Sequence, residues 1–291
     1  MILLPAFIDH ETLDLFSRYM KVVGVPQLEP DATAEPGLFG KKLGLLNGSA
    51  WIQLWSYYFG RLYLPGVKLI NLGNEAVQLN FMQAHAEGGE SPPPRNIELF
   101  ARYARDLVEL ADIDAVLITC STMSRSFVRV QEAICDYGVP VLQIDQPMME
   151  KAVMLGGRIL IVATHGPTVT STRRLLEETV TAKSDGKHLK YAGATVEKAF
   201  DLLGEGRIEE HNQVIAETIR TYLRKDSVDQ VLLAQLSMSV FKLSYPDAEA
   251  EFGVPVLTSG EEGFKRMREI LLAMAPKQPP TGMAGFNLNA E

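Results

Sequence analysis

A duplicated segment sets the strongest limit on the fold of this chain. Residues 114–124, DAVLITCSTMS, return as residues 229–239, DQVLLAQLSMS, at an offset of 115 residues. The same offset carries residues 139–142 onto residues 254–257, with VPVL in both places. Because two separate segments keep one register, the sequence predicts two copies of one unit. In each copy an apolar strand ends in small polar residues.

The alternation of elements predicts the architecture. From residue 42 onward short β-rich runs alternate with segments of helical period, which is typical of β-α-β units on a parallel sheet. Strands are expected near residues 43–46, 68–71, 115–119, 139–144, 158–163, 189–192, 230–234 and 254–257. Helices are expected near residues 50–62, 97–111, 126–137, 148–155, 170–180, 209–223, 241–252 and 262–274. We therefore expect an α/β fold of two pseudo-symmetric, doubly wound lobes. Each has a roughly four-stranded parallel sheet, and the active site lies in the cleft between them, beyond the strand carboxyl ends.

Composition and charge exclude several classes of protein. A hydrophobic content of 46% and a charged content of 22% are ordinary for a soluble globular chain. The net charge is −8 and no block of Lys or Arg occurs, so no nucleic-acid partner is expected. No apolar run approaches the ~20 residues of a membrane span, and the amino terminus lacks the basic lead of a signal peptide. Because two cysteines make no disulfide framework, we expect a cytoplasmic protein with reduced thiols and no membrane partner.

Cys120 is the candidate catalytic residue. It lies at the end of an apolar strand and is followed by Ser121 and Thr122, with a helix expected soon after. A helix amino terminus stabilises a thiolate, and its free amides and the hydroxyls suit a bound carboxylate. A buried, inert cysteine is the alternative, and that is the interpretation for Cys135, which lies in a helix without a polar cluster. The second copy has Gln235 in place of Cys120, and its amide takes up no proton near neutral pH.

Polar residues at other strand ends are candidate ligands for the substrate. His165 follows Thr164, and because imidazole titrates near physiological pH it is a candidate second acid or base; a loop histidine without a role is the alternative. Asn47 and Ser49 follow the first strand and suit a carboxylate or an enolate, although such residues also cap helices. The Ser237 hydroxyl needs a neighbouring base to take part in proton transfer.

Other motifs predict little further chemistry. No HExxH or CxxC pattern occurs, and neither does a GxGxxG, Walker-type or GxSxG motif, so we expect no metal and no cofactor. Arg125 is interpreted as an exposed first-turn arginine rather than as a ligand for a second carboxylate. The aromatic run 51–63 is assigned to core packing, with the cleft or a subunit contact as alternatives. The remaining histidines are interpreted as ordinary; these are His10, His85, His188 and His211.

Taken in order, these segments resemble the cofactor-independent aspartate/glutamate racemase superfamily, which includes hydantoin racemases, maleate isomerases and arylmalonate decarboxylases. DAVLITCST at residues 114–122 is similar to the segment that bears the family's first cysteine. LGLLNGS at 43–49, VPVLQID at 139–145 and RILIVAT at 158–164 are similar to its opening strand, its next strand and its second-half strand. The resemblance covers about residues 42 to 274.

The resemblance implies the function. The family's racemases use two cysteines, one on each face of the substrate, and this chain departs from that pattern at Gln235. It implies a racemase- or epimerase-like isomerase that transfers a proton alpha to the carboxylate of a small amino-acid- or hydroxy-acid-like substrate, with Cys120 as acid/base. A single-cysteine decarboxylase or cis-trans isomerase is one alternative, and a non-catalytic protein that binds a small acid is another. The implied substrate ligands are Asn47, Ser49, Ser121, Thr122, Thr164, Gln235 and Ser237.

Domain limits and assembly complete the expectations. Residues 1–38 are predicted to form an N-terminal extension with an amphipathic helix around residues 11–22. Residues 39–138 together with 254–291 form the first lobe, since in this family the last β-α pair can return to it, and residues 139–253 form the second. Gly138 and Gly253 precede VPV where a left-handed helix cap requires glycine. We expect a homo-oligomer, in particular a homodimer.

Overall fold

A computed structural model describes residues 10–24, 35–183 and 189–274, in which two parallel sheets have the same strand order. The first sheet has the order β2-β1-β3-β4 and the second has the order β6-β5-β7-β8, and all neighbouring strands are parallel. The predicted α/β fold with two pseudo-symmetric four-stranded sheets is therefore confirmed. The strands are β1 (Lys42–Asn47), β2 (Lys68–Gly73), β3 (Ala115–Ile118), β4 (Val141–Gln143), β5 (Arg158–Ala163), β6 (Lys190–Thr195), β7 (Gln230–Leu233) and β8 (Val256–Thr258).

Helices cover the sheets and follow most of the predicted segments. They are α1 (His10–Val23), α2 (Trp51–Tyr63), α3 (Glu75–Ala86), α4 (Pro94–Ala111), α5 (Phe127–Ala133), α6 (Gln146–Leu155), α7 (Gly166–Ala182), α8 (Glu197–Gly204), α9 (Ile208–Lys225), α10 (Phe241–Ser244), α11 (Ala248–Phe252) and α12 (Ser259–Ala273). The sequence did not predict α3 or α8. Within the described ranges, no helix has the length and apolar character needed to cross a bilayer.

The central strands are buried on both faces. The side chains of β3 and β7 are all buried, and so are nearly all those of β1 and β5. Such strands read as continuous apolar runs because helices cover both faces of a parallel sheet. Gly138 and Gly253 have φ values of 65° and 70°, which confirms the left-handed caps.

The chain crosses between the lobes after β4 and again after β8. Met148 and Met149 of α6 pack with residues of β5 and β7, whereas Phe264 and Met267 of α12 pack with residues of β1 and β3. The lobe limits predicted from sequence therefore misplace two strands. The hydrogen bonds of β4 go to β3, so β4 belongs to the first sheet, and those of β8 go to β7, so β8 belongs to the second. Of the last β-α pair, α12 returns to the first lobe and β8 does not.

Close packing joins the two crossover elements. A Cβ at Gly263 would lie 2.5 Å from Cγ1 of Ile144 and 2.7 Å from its carbonyl oxygen. Glycine therefore allows α12 to pack directly on the end of β4. The Gly260 amide donates to Oγ of Ser239 at 3.0 Å, which ties the start of α12 to the turn after β7. These contacts fix the strand ends that border the cleft.

Part of the N-terminal extension packs on the first lobe. Helix α1 matches the predicted helix and packs against α2, where Arg61 donates to the carbonyl oxygens of Val22 and Val23 at 2.5 and 2.8 Å. Arg268 of α12 forms an ion pair with Glu35 at 2.6 Å. The other predictions for residues 1–9, 25–34 and 275–291 lie outside the described residues, as does the interpretation of His188.

Candidate active site

A cavity of about 260 Å³ lies between the lobes at the carboxyl ends of the strands. This is where ligands of open parallel sheets bind. It brings together most of the residues predicted from sequence, namely Cys120, Ser121, Thr122, His165, Gln235 and Ser237. Asn47, Ser49 and Thr164 do not line it. A larger groove of about 820 Å³ on the outer face of α3, α4 and α5 holds none of the predicted residues, so the chemistry points to the smaller cavity.

Cys120 follows β3 directly and faces the cavity. Its side chain is 7% exposed, and Sγ lies 3.0 Å from Oγ1 of Thr122. Burial raises the pKa of the Cys120 thiol, while hydrogen bonds from Thr122 and from backbone groups of Met123 and Gly48 partly offset that rise. The cysteine is therefore a neutral thiol near neutral pH, with donors already in place for the thiolate.

The turn after β1 leaves room for the sulfur. A Cβ at Gly48 would lie 2.5 Å from Sγ of Cys120, so a larger residue there would displace the thiol. Beside it, Asn47 is fully buried, and its Oδ1 accepts from Ser56 at 2.8 Å and from Thr119 at 2.5 Å. Asn47 thus ties the end of β1 to the residue after β3 and to the middle of α2. It does not line the cavity, and its contact with substrate stays a prediction.

The second lobe has the same arrangement, with a side-chain amide oxygen where the first lobe has a sulfur. Leu46 is paired with Ile118 in the first sheet, and Val162 with Leu233 in the second. Two residues beyond each pair lie Gly48 opposite Cys120, and Thr164 opposite Gln235.

The Gln235 side chain accepts from both donors of Thr164. Its Oε1 receives the Thr164 amide at 2.8 Å and the Thr164 hydroxyl at 2.9 Å. The Gln235 amide oxygen thus occupies the same position next to Thr164 that the Cys120 sulfur occupies next to Gly48. Gln235 lines the cavity, and no hydrogen bond of its Nε2 group is found among the described residues. Thr164 orients the Gln235 side chain through these hydrogen bonds and does not line the cavity.

Two histidines lie on the cavity wall. His165 caps α7, and its ring centroid is 4.6 Å from that of Phe200. Partial burial lowers the pKa of His165, against the opposing effect of Glu197 and Asp201, so its imidazole is mainly neutral at pH 7. His85 on α3 was interpreted as ordinary, yet the structure places its exposed side chain at the same cavity. His211, in contrast, is fully buried within the second lobe.

A buried carboxyl group supports the Cys120 turn. The Ser121 hydroxyl donates to Oδ1 of Asp145 at 3.1 Å. Burial raises the pKa of Asp145 from 3.8 to about 6, although the Ser121 hydrogen bond acts in the opposite direction. Sequence reasoning did not select Asp145 as a site residue. Its position just after β4, at the edge of the sheet where the site was expected, was the available signal.

The remaining predicted residues have different surroundings. The Ser49 hydroxyl is buried and has no partner among the described residues, and it does not line the cavity. Ser237 lines the cavity at the position that corresponds to Thr122 of the first lobe. Arg125 does not line the cavity and lies 3.6 Å from Glu178 of the other lobe, so it is outside the site.

Apolar side chains form much of the wall; for the run 51–63 the cleft was an alternative to core packing, whereas those on α3 and α8 were missed. Trp51 and Ile52 begin α2, Phe81 and Met82 lie on α3, and Phe200 lies on α8. The rings of Trp51 and Phe200 meet edge to face at 6.4 Å, which joins the two lobes across the cavity. The lining residues within the described ranges include neither Lys nor Arg. The same ranges contain no group of His, Cys, Asp and Glu that fits a metal ion.

Known proteins with this architecture share the family expected from sequence. The Asp/Glu/Hydantoin racemase family model matches residues 77–267. No curated protein matches the sequence. The aspartate racemase of Picrophilus torridus is 18% identical and has a TM-score of 0.58, over 80% of this chain and 94% of that one. An aspartate racemase homologue from Pyrococcus horikoshii OT3 is 19% identical, with a TM-score of 0.57 over 79% of this chain and 99% of that one.

An allantoin racemase extends the comparison. The enzyme from Klebsiella pneumoniae is 16% identical, with a TM-score of 0.54 over 84% of this chain and 97% of that one. At these identities the structural likeness establishes the fold, and the family match covers more than half of the chain. The resemblance expected from sequence is confirmed: this chain belongs to the Asp/Glu/hydantoin racemase family.

Proposed function

We propose that this protein is a cofactor-independent enzyme that moves a proton at the carbon alpha to the carboxylate of a small acid, with Cys120 as its acid/base. The observation that carries the proposal is the Cys120 thiol, which lines the cavity between the lobes and has hydrogen-bond donors around its sulfur. A thiol so placed is within the reach that general acid–base catalysis requires of a bound ligand.

The two lobes take unequal parts in the proposed reaction. The thiolate of Cys120 takes the α-proton, and the charge moves onto the substrate carboxylate as an enolate. Hydrogen bonds that strengthen as this charge develops lower the barrier, and the Nε2 group of Gln235 is such a donor. Because the Gln235 amide cannot return a proton, the thiol returns it to the same face, or the protonated fraction of His165 supplies one from the second lobe and both groups then exchange protons with solvent.

Decarboxylation is the second candidate, and the pKa of Cys120 favours it. Burial keeps the thiol protonated near neutral pH, which suits a group that donates a proton. In this reaction the substrate is a malonate-like acid: one carbon–carboxylate bond breaks, CO₂ leaves, and the electron pair of that bond is delocalised from the α-carbon onto the remaining carboxylate. The Cys120 thiol then protonates that carbanion and becomes a thiolate, which regains a proton from solvent.

Deuterium exchange tests both candidates. Small 2-substituted acids are incubated with the protein in D₂O and followed by NMR, alongside Cys120→Ala and Cys135→Ser variants. We expect exchange at the α-carbon, or loss of CO₂ with one deuterium gained, in the wild type and in Cys135→Ser. Cys135 is exposed and lies away from the cavity, so it is the matched control. Full turnover by Cys120→Ala would overturn the proposal, and a ligand that binds without exchange would favour a binding protein.

A further inference from the structure

We infer that the side group on the reacting carbon of the substrate is apolar, aromatic or branched, and carries no carboxylate. This inference rests on the proposed function for the reacting carbon and names the group attached to that carbon. It comes from the chemistry of the cavity wall. Trp51, Phe81, Met82 and Phe200 supply large apolar side chains to that wall and line the same cavity as Cys120.

The charge of the wall argues against a carboxylate on the side group. No Lys or Arg is among the described lining residues, and Arg125 is occupied near Glu178 outside the cavity. The ionisable side chains at the wall other than Cys120 are the exposed Glu197 and two histidines. Burying a carboxylate next to apolar side chains without a cation is unfavourable. A side-chain carboxylate would therefore be repelled here, while the reacting carboxylate still has the donors of Gln235 and the hydroxyls near Cys120.

The exposure of the wall residues argues for an apolar ligand. Trp51 is 43% exposed and Phe200 is 39% exposed, although both are large apolar side chains at the cavity. Met82 beside them is 41% exposed. Exposed apolar side chains gathered at one concave place mark a surface that is covered in use. The substrate's side group would cover them, because the two aromatic rings come from opposite lobes and meet above the cavity.

The size of the cavity limits the side group. Its volume of about 260 Å³ is below the about 300–1,000 Å³ of pockets for drug-sized ligands. One ring or one branched chain beside a carboxylate fits this volume. Aromatic side chains around such a group add favourable edge contacts to the burial of its apolar area.

Protection of Cys120 from alkylation tests the inference without relying on turnover. Matched pairs of acids share the reacting carbon and differ in the side group: 2-phenylpropanoate with 2-methylsuccinate, and mandelate with malate. Iodoacetamide labelling is followed by mass spectrometry, and the exposed Cys135 is the internal control. We expect the phenyl member of each pair to protect Cys120 at a concentration at least about tenfold lower. Phe200→Ala should remove most of that preference.

Fluorescence gives an independent reading if Cys120 labels slowly. The chain has two tryptophans, so a Trp55→Phe variant leaves the emission of Trp51 at the cavity as the signal. The phenyl acids should change this emission and the diacids should not. Stronger protection or a stronger signal with the diacids, or equal effects of both, would overturn the inference. Cys120-dependent exchange on a diacid would overturn it while upholding the proposed function, whereas phenyl-acid binding without any exchange would do the reverse.

Discussion

The turns after β3 and β7 have the same backbone arrangement and differ in the side chain that lines the cavity. In both lobes a backbone amide after the first strand reaches the side chain after the third, so Gly48 meets Cys120 and Thr164 meets Gln235. The first lobe presents a group that can gain or lose a proton. The second presents an amide whose oxygen is already satisfied and whose nitrogen is a donor. The two turns thus share one geometry, with a thiol in the first lobe and an amide in the second.

The residue next to Cys120 and the residue next to Gln235 differ in size as their partners require. The sulfur of Cys120 lies so close to the first turn that only glycine fits there. The longer side chain of Gln235 tolerates Thr164, whose hydroxyl adds a second hydrogen bond. The pairs Gly48–Cys120 and Thr164–Gln235 are therefore expected to act as units, so changing one member should affect the other.

The largest expected effect separates the two turns directly. Cys120→Ser should lower kcat/KM by about 10²–10⁴, because a hydroxyl is a far weaker acid than a thiol and general acid–base catalysis is worth that much. Gln235→Ala should lower it by about tenfold, since it removes a donor and no proton carrier. Steady-state kinetics on the substrate found by deuterium exchange measure both. Equal losses would show that the lobes contribute alike, which contradicts the asymmetry described above.

Gly48 offers a steric test of the first turn. Gly48→Ala places a Cβ 2.5 Å from the sulfur of Cys120, so we expect kcat/KM to fall by about 10²-fold. Crowding of this kind costs about 1–3 kcal/mol of stability. Thr164→Ala is the matched change in the second lobe. It removes the hydroxyl hydrogen bond to Gln235 but keeps the hydrogen bond from the Thr164 backbone amide, so it should cost only about 0.5–1.5 kcal/mol of stability. Kinetics with urea unfolding report both quantities; a benign Gly48→Ala would refute the close fit.

Asp145 marks a second difference between the lobes, because the corresponding position of the second lobe is Gly260. Its pKa is raised from 3.8 to about 6 in the folded protein, so folding favours the protonated form. The stability gained from that form is complete below pH 3.8 and is lost as the pH rises through about 6. The shift corresponds to about 3 kcal/mol. Asp145→Asn should therefore stabilise the protein by up to about that amount at pH 7.5.

The pH dependence of unfolding provides the check on Asp145. Urea unfolding at pH 4 and at pH 7.5 should show the gain of Asp145→Asn at the higher pH and little difference at the lower one. If the variant is instead less stable at pH 7.5, the ionised carboxylate stabilises the fold and the hydrogen bond from Ser121 outweighs the cost of burial. Activity measured alongside would show whether Asp145 positions the Cys120 turn, because a purely structural role would leave kcat unchanged.

The comparison also explains what the sequence could predict. The repeated strands and the Cys120–Gln235 correspondence were readable because parallel strands have continuous apolar runs in a fixed register. Helices α3 and α8 were missed, and with them Phe81 and Phe200. Apolar residues occur around α3 on more than one face, since some pack on the lobe and others line the cavity, so no single stripe indicates a helix. The lobe limits predicted from sequence place α6 and α12 correctly but assign β4 and β8 to the wrong sheets, because a short apolar strand does not reveal which sheet it joins.

The pH–rate profile gives the sharpest comparison of the two turns. Burial raises the pKa of Cys120 above its ordinary value of 9.0. If the thiolate removes the α-proton, kcat/KM should rise about tenfold per pH unit up to that pKa. If the thiol instead donates the proton, kcat/KM should be constant below that pKa and fall above it. Because Gln235 does not titrate, one ionisation should appear in this range, and a second in Gln235→Cys. Two ionisations in the wild type would mean that another group replaces the missing base.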